Sequence, residues 1–272
     1  MNLHHHRVNP AVISYRNMRR WVGWLAILLP VLTAGGYMVF GAHRFLLLDS
    51  ISEYYYTMMR DVFVGTLCMV GLFLIGYRGY DDWEDFVFNL AAVLAILIAF
   101  FSMDPEPGRP CDINFDTSGA CYDTVQLCND CSPSFALLFQ HKLTILHLVF
   151  YHYIHFTCAG LLFIILGYVS CCLFTRTARH RDPGTTEMPT PEKLRRNIIY
   201  RTLGIIIWVS ISFYGVYSII NGKWPELGFC RWLTAHHVLF FVEWISLWSF
   251  GFSWLIKGEG VWFLNDAPVR VS

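Results

Sequence analysis

Six apolar stretches divide this chain: Trp21–Phe40, Ser50–Tyr77, Glu84–Met103, one ending at Phe174, Asn197–Ile220 and Thr234–Ile256. A bilayer core about 30 Å thick needs about 20 apolar residues in helical form, so each stretch predicts a membrane-crossing helix. The fold class expected is all-α, a polytopic transmembrane six-helix bundle with a disulfide-rich extracytoplasmic loop. Residues 1–20 read as a cytoplasmic tail, 21–257 as the transmembrane domain and 258–272 as a second cytoplasmic tail. Within the domain, 104–133 reads as the Cys-rich outer loop and 175–196 as a basic cytoplasmic loop. No small-x-small cleavage site follows the first apolar core, so the first span is expected to be an uncleaved anchor.

Periodicity places polar side chains on three of these helices. Ser50-Ile-Ser-Glu53 fits a capping box and predicts one helix from there to Tyr77, about 40 Å long at 1.5 Å per residue. Glu53, Thr57, Arg60 or Asp61, Val64 and Cys68 then share a side. In the fourth span Thr144, His147, Tyr151, His155 and Cys158 stack at three- and four-residue steps. In the sixth, His236 and Glu243 are one heptad apart and lie on nearly the same face. Ionisable groups at membrane depth are expensive and face a partner or a wet cavity.

Composition agrees with the spans. The chain is 55% hydrophobic and 15% charged, against about 25% charged in ordinary soluble domains. Formal net charge is zero, so no nucleic-acid partner is expected. With the N-terminus inside, 14 of the 20 Lys and Arg fall in inner segments and 6 in outer ones, which predicts cytoplasmic termini. That topology puts Cys111, Cys121, Cys128, Cys131 and Cys230 outside, where thiols oxidise. They are the disulfide candidates, with the pairing open. Cys128-Asn-Asp-Cys131 also has the spacing of half a zinc site or a redox pair, but the other half is not evident. Seven of the 11 histidines fall on the same outer side.

The expected site is therefore an outer-leaflet polar pocket between spans two, four and six. Glu53, Arg60, Asp61, His147, Tyr151, His155, His236 and Glu243 would line it, with Arg60 holding an anionic group by a forked contact. The partners expected are membrane lipids or a small amphiphile, and protein partners are left open. No cofactor is required by this reading. An enzymatic alternative would use Asp61, His147, His155 and His236 to hold zinc and generate hydroxide for lipid ester or amide hydrolysis. A second alternative is a haem or quinone protein, since histidines stand on several helices. Whether the chain is an enzyme is not decided by sequence. It carries no Walker motif, no dinucleotide fingerprint, no Gly-x-Ser-x-Gly and no His-Glu-x-x-His.

At Ser50-Ile-Ser-Glu-Tyr-Tyr-Tyr-Thr-Met-Met-Arg-Asp-Val-Phe-Val-Gly65, at Tyr77-Arg-Gly-Tyr80 and at Phe250-Gly-Phe-Ser-Trp-Leu-Ile-Lys-Gly-Glu259, the chain resembles a bacterial family of uncharacterised six-helix membrane proteins. The resemblance implies a bundle in the bacterial inner membrane and no particular activity. A looser similarity is to alkaline-ceramidase-like membrane hydrolases, which pair an early Ser, His and Asp with a late His-x-x-x-His. Here Asp61 and His236–His237 are present, but Tyr151 stands four residues after His147 and Phe241 four after His237. The metal set of those hydrolases is incomplete in this chain.

Overall fold

The computed structural model describes residues 10–40, 47–101, 151–176, 190–261 and 264. Cys111, Cys121, Cys128, Cys131 and His147 lie outside the described residues. Among those described, every regular element is helical: α1 (Pro10–Phe40), a 3-10 turn (Ser52–Tyr56), α2 (Arg60–Ile75), α3 (Asp82–Phe100) and α4 (Tyr151–Tyr168). After α4 come a π turn (Val169–Leu173), α5 (Pro191–Lys223), α6 (Gly228–Ala235) and α7 (Val238–Lys257). Five helices are long and apolar enough to cross a bilayer: α1, α3, α4, α5 and α7. The stretch expected as a single second span is instead the 3-10 turn followed by α2, which has 16 residues and is about 24 Å long.

Neighbours in sequence are neighbours in space. Packing runs α1–α2–α3–α4–α5, then α5 onto α7 and α7 back onto α1. Small residues set the closest approaches. A Cβ on Gly251 of α7 would lie 2.6 Å from Ile27 Cγ1 and 2.8 Å from the Gly23 carbonyl oxygen of α1. A Cβ on Gly204 of α5 would meet Cys171 at 2.6 Å and the Gly167 oxygen at 2.7 Å. Membrane helices use such residues because packing, rather than expulsion of water, holds them together.

The distribution of polarity is that of a lipid-embedded chain. Val209 is 62% exposed and Ile219 64% exposed on α5, while Thr33, Ser170, Ser246 and Ser253 are buried. The Ser170 and Ser253 hydroxyls hydrogen-bond at 2.9 Å between the π turn and α7. Apolar outer faces of this extent would be costly in water and are ordinary against lipid tails. Inside, Trp254 stacks edge-on with Tyr77, Phe88 and Phe174, at centroid separations of 5.2, 5.9 and 5.3 Å.

One end of the helices is basic and knotted. Arg20 donates to the Gly258 and Glu259 carbonyls at 2.8 and 3.0 Å, closing the C-terminus of α7, and Arg16 pairs with Glu259 at 2.8 Å. Within the expected tail of residues 1–20, the chain is helical from Pro10, and Arg16, Arg19 and Arg20 contact residues 257–259 at the other end of the described chain. Asp81 caps α3 by accepting the Glu84 N–H at 2.8 Å, and Thr190 caps α5 ahead of Pro191. The loop expected to run to residue 196 is thus already helical from Pro191.

Candidate functional site

The opposite end carries Asp49, Glu53 and Glu243, and the segment before α2 builds it. Ser50 does cap, its hydroxyl accepting the Glu53 N–H at 3.1 Å. Glu53 reaches back to the Asp49 N–H at 2.8 Å, one residue short of the expected capping box. The result is a 3-10 turn, not the start of a long helix. Tyr54, Tyr55 and Tyr56 are all buried. Successive α-helical side chains point about 100° apart, so three in a row cannot all face one core from a surface helix. Here the segment is wedged in protein, and the chain turns extended at Thr57 before α2 begins. The Thr57 hydroxyl accepts the Met59 N–H at 3.1 Å at that junction.

Two bonds tie this segment to α7. The Ile51 N–H donates to Glu243 Oε2 at 2.6 Å. His237 Nδ1 hydrogen-bonds the Asp49 carboxylate. His237 caps α7 with φ 51° and ψ 48°, a left-handed conformation that costs an L residue roughly 1–2 kcal/mol. That backbone turns the imidazole toward Asp49 and separates α6 from α7, which the apolar pattern had merged from Thr234 onward.

Two adjoining clefts open beside this plug. The first, of about 100 Å³, lies between α4, α5 and α7. Its polar lining is Ser50, Ser52, His155, Tyr214 and Glu243; its apolar lining includes Phe156, Gly160, Phe163, Ile211 and Val242. The second, of about 210 Å³, is lined by Asp49, Glu53, Tyr217, Ser218, Asn221, Thr234 and His237 among others. Phe156, Tyr214 and Leu239 line both. His155 is 3% exposed and its Nδ1 lies 2.6 Å from the Phe101 carbonyl oxygen, which joins α4 to the end of α3.

Of the expected site, His155 and Glu243 meet at the first cleft and Glu53 lines the second. Arg60 and Asp61 line neither. The Asp61 side chain is 95% exposed, and its contact with Arg60 is a long 3.8 Å. They move out of the site because α2 starts at Arg60 rather than at Ser50, which changes the face each residue occupies. His236 also turns away: it is exposed, stacks on the Trp232 ring at 4.2 Å and hydrogen-bonds the Trp232 carbonyl at 2.7 Å. His237 takes the place expected of it. The backbone of Tyr151 opens α4, one turn before His155.

The described zinc candidates, Asp61, His155 and His236, do not converge, and no three His, Cys, Asp or Glu group as a metal site among the described residues. Cys230 is a free, fully buried thiol in α6, packed with Tyr217 and Leu233; the other four disulfide candidates lie outside the described residues. No disulfide is present among the described residues. Asp49 and Tyr214 were not singled out from sequence, and His237 was noted only beside His236, which was expected in the pocket. Asp49 directly before the capping serine was the available signal; Tyr214 in an apolar span offered none.

Comparison with family models, curated proteins and solved structures finds no match to this chain.

Proposed function

We propose that this chain is a multi-pass protein of the bacterial inner membrane, with six spans and both termini cytoplasmic, that binds or moves a lipid or small amphiphile at an outer-leaflet pocket. In this reading α2 and the 3-10 segment before it together make the second crossing. Support for the orientation comes from the charge division: Arg16, Arg19, Arg20, Arg78, Arg176 and Lys257 gather at one end, and Asp49, Glu53 and Glu243 toward the other. The expected outer disulfides among Cys111, Cys121, Cys128 and Cys131 belong to the same reading. After reduction, an impermeant maleimide should label Cys111 from the outside of intact cells. Labelling confined to inverted vesicles would reverse the orientation.

The observation that carries the ligand reading is the pairing of the two clefts. An apolar slot adjoins a polar one through Phe156, Tyr214 and Leu239, so apolar walls and a few convergent polar groups come together, as they do in small-molecule sites. On α4 and α5 the polar residues stand nearer the end that carries Asp49 and Glu53: His155 before Gly160 and Phe163 on α4, Ser218 and Asn221 after Ile211 on α5. That gradient matches a head group and a chain.

Gly160 provides the test. It lines the slot, and a Cβ there meets nothing within 4 Å. Gly160→Leu should fill the slot without a clash and gain about 0.8 kcal/mol of helix propensity. Native mass spectrometry should then show loss of a retained single-chain amphiphile, with Tm unchanged or higher. Unchanged adducts on the folded variant would remove the reading.

A further inference from the structure

The amphiphile reading leaves the head group open, and the hydrogen-bonding polarity of the lining narrows it. His155 Nδ1 faces the Phe101 carbonyl oxygen at 2.6 Å. A carbonyl oxygen only accepts, so Nδ1 carries the hydrogen in the neutral ring and Nε2 keeps the lone pair. His155 is 3% exposed and lines the first cleft. Glu243 lines the same cleft. The Ile51 N–H at Oε2 takes one of about four acceptor positions that a carboxylate offers. His155 thus presents an acceptor, and Glu243, buried in an apolar span with no cation in the described lining, presents a carboxyl that ionises when a cation enters beside it. Asp49 and Glu53 add carboxylates to the adjoining cleft. Among the described residues no Lys or Arg lines either one.

Arg60 had been expected to hold an anion here. Its side chain lines neither cleft, so an anionic head would stand beside Glu243 with no lysine or arginine from the described lining to offset it. A hydroxyl head would give one uncharged donor. An ammonium head gives three donors and a charge opposite to that of the carboxylate.

Building on the amphiphile reading, we infer that the ligand is an amphiphile with a primary ammonium head. Its N–H groups are received by the Glu243 carboxylate and His155 Nε2, and its chain runs along Gly160, Phe163 and Ile211. The class includes single-chain amines and amine-headed lipids, which share this head chemistry.

The full-length protein in phosphatidylcholine nanodiscs, titrated with hexadecylamine, hexadecanol or hexadecanoic acid and read by native mass spectrometry, separates the outcomes. The amine should saturate at one per chain, about tenfold tighter than the alcohol, as expected for a hydrogen bond to a charged group. Glu243→Gln keeps an oxygen for the Ile51 N–H. It should abolish the amine preference, bringing the affinities for hexadecylamine and hexadecanol together. Phosphatidylethanolamine retained over phosphatidylglycerol in mixed discs would identify a lipid as the source of the head group; retention of hexadecylamine alone would point to a free amine. Equal binding of the three probes, tighter binding of the acid, or an amine preference that survives Glu243→Gln overturns the ammonium assignment and leaves the amphiphile reading standing. If no probe saturates, the amphiphile reading itself fails. The comparison of probes on the unaltered protein decides the matter even if the variant does not fold.

Discussion

Arg176→Ala is expected to lower unfolding stability by about 2 kcal/mol, because it removes the guanidinium that contacts a buried carboxylate and leaves the Lys257 ammonium as that carboxylate's remaining described cation. Glu84 has a side chain only 3% exposed, and Arg176 contacts its Oε1 at 3.2 Å. The other oxygen accepts the Tyr80 N–H at 2.9 Å. The same guanidinium nitrogen reaches Asp81 at 3.1 Å, so one side chain joins the chain after the π turn to the cap of α3. Gly79 is pressed against Glu84, where a Cβ would come within 2.3 Å of the Glu84 Cβ, so the carboxylate cannot swing to water without moving the turn. Adding Glu84→Gln to Arg176→Ala removes the buried charge and should restore at least half of the loss. Unfolding in mild detergent followed by tryptophan fluorescence measures both. A cost below about 1 kcal/mol for Arg176→Ala would mean that the pair behaves as an exposed one.

Gly251→Val should cost about 3 kcal/mol through overpacking. The α1–α7 contact leaves no room at this position: the obstacles are the Gly23 carbonyl oxygen at 2.8 Å and Ile27 Cγ1 at 2.6 Å. Backbone cannot rotate aside as a side chain does, so α7 must move away from α1. That movement strains the Trp248 Nε1 bond to the Ile27 carbonyl, now 3.1 Å, and the Arg20 bonds to Gly258 and Glu259. Gly215→Val on α5 is the matched control, since a Cβ there meets nothing within 4 Å. Equal stability of the two variants would show that α1 and α7 are less closely held than their backbone geometry requires.

The residues that could be read from sequence were those whose cost does not depend on neighbours. A carboxylate inside an apolar span is expensive wherever the span packs, so Glu243 stood out before any contact was known. His155 stood out because its helix face carried other polar groups. Arg60 and Asp61 misled because their faces depend on where the helix starts. The Ser50 cap was correctly seen, but capping bonds of this kind serve a single 3-10 turn as readily as a long helix. His236 and His237 are indistinguishable as a pair of adjacent letters. Only the left-handed backbone at His237 selects which one meets Asp49.

The apolar runs by themselves determined that the chain is helical, with helices long and apolar enough to cross a membrane, because length and transfer energy are sums over residues and need no partner. The tertiary structure decided the rest. It decided that the segment before α2 is a buried plug, because three consecutive tyrosines can be buried only when protein surrounds them. It decided which described residues line the clefts, because Arg60 lines neither while Asp49 and His237 do. Those outcomes depend on helix starts and on which faces meet, and both are set by contacts between residues as far apart as Ile51 and Glu243.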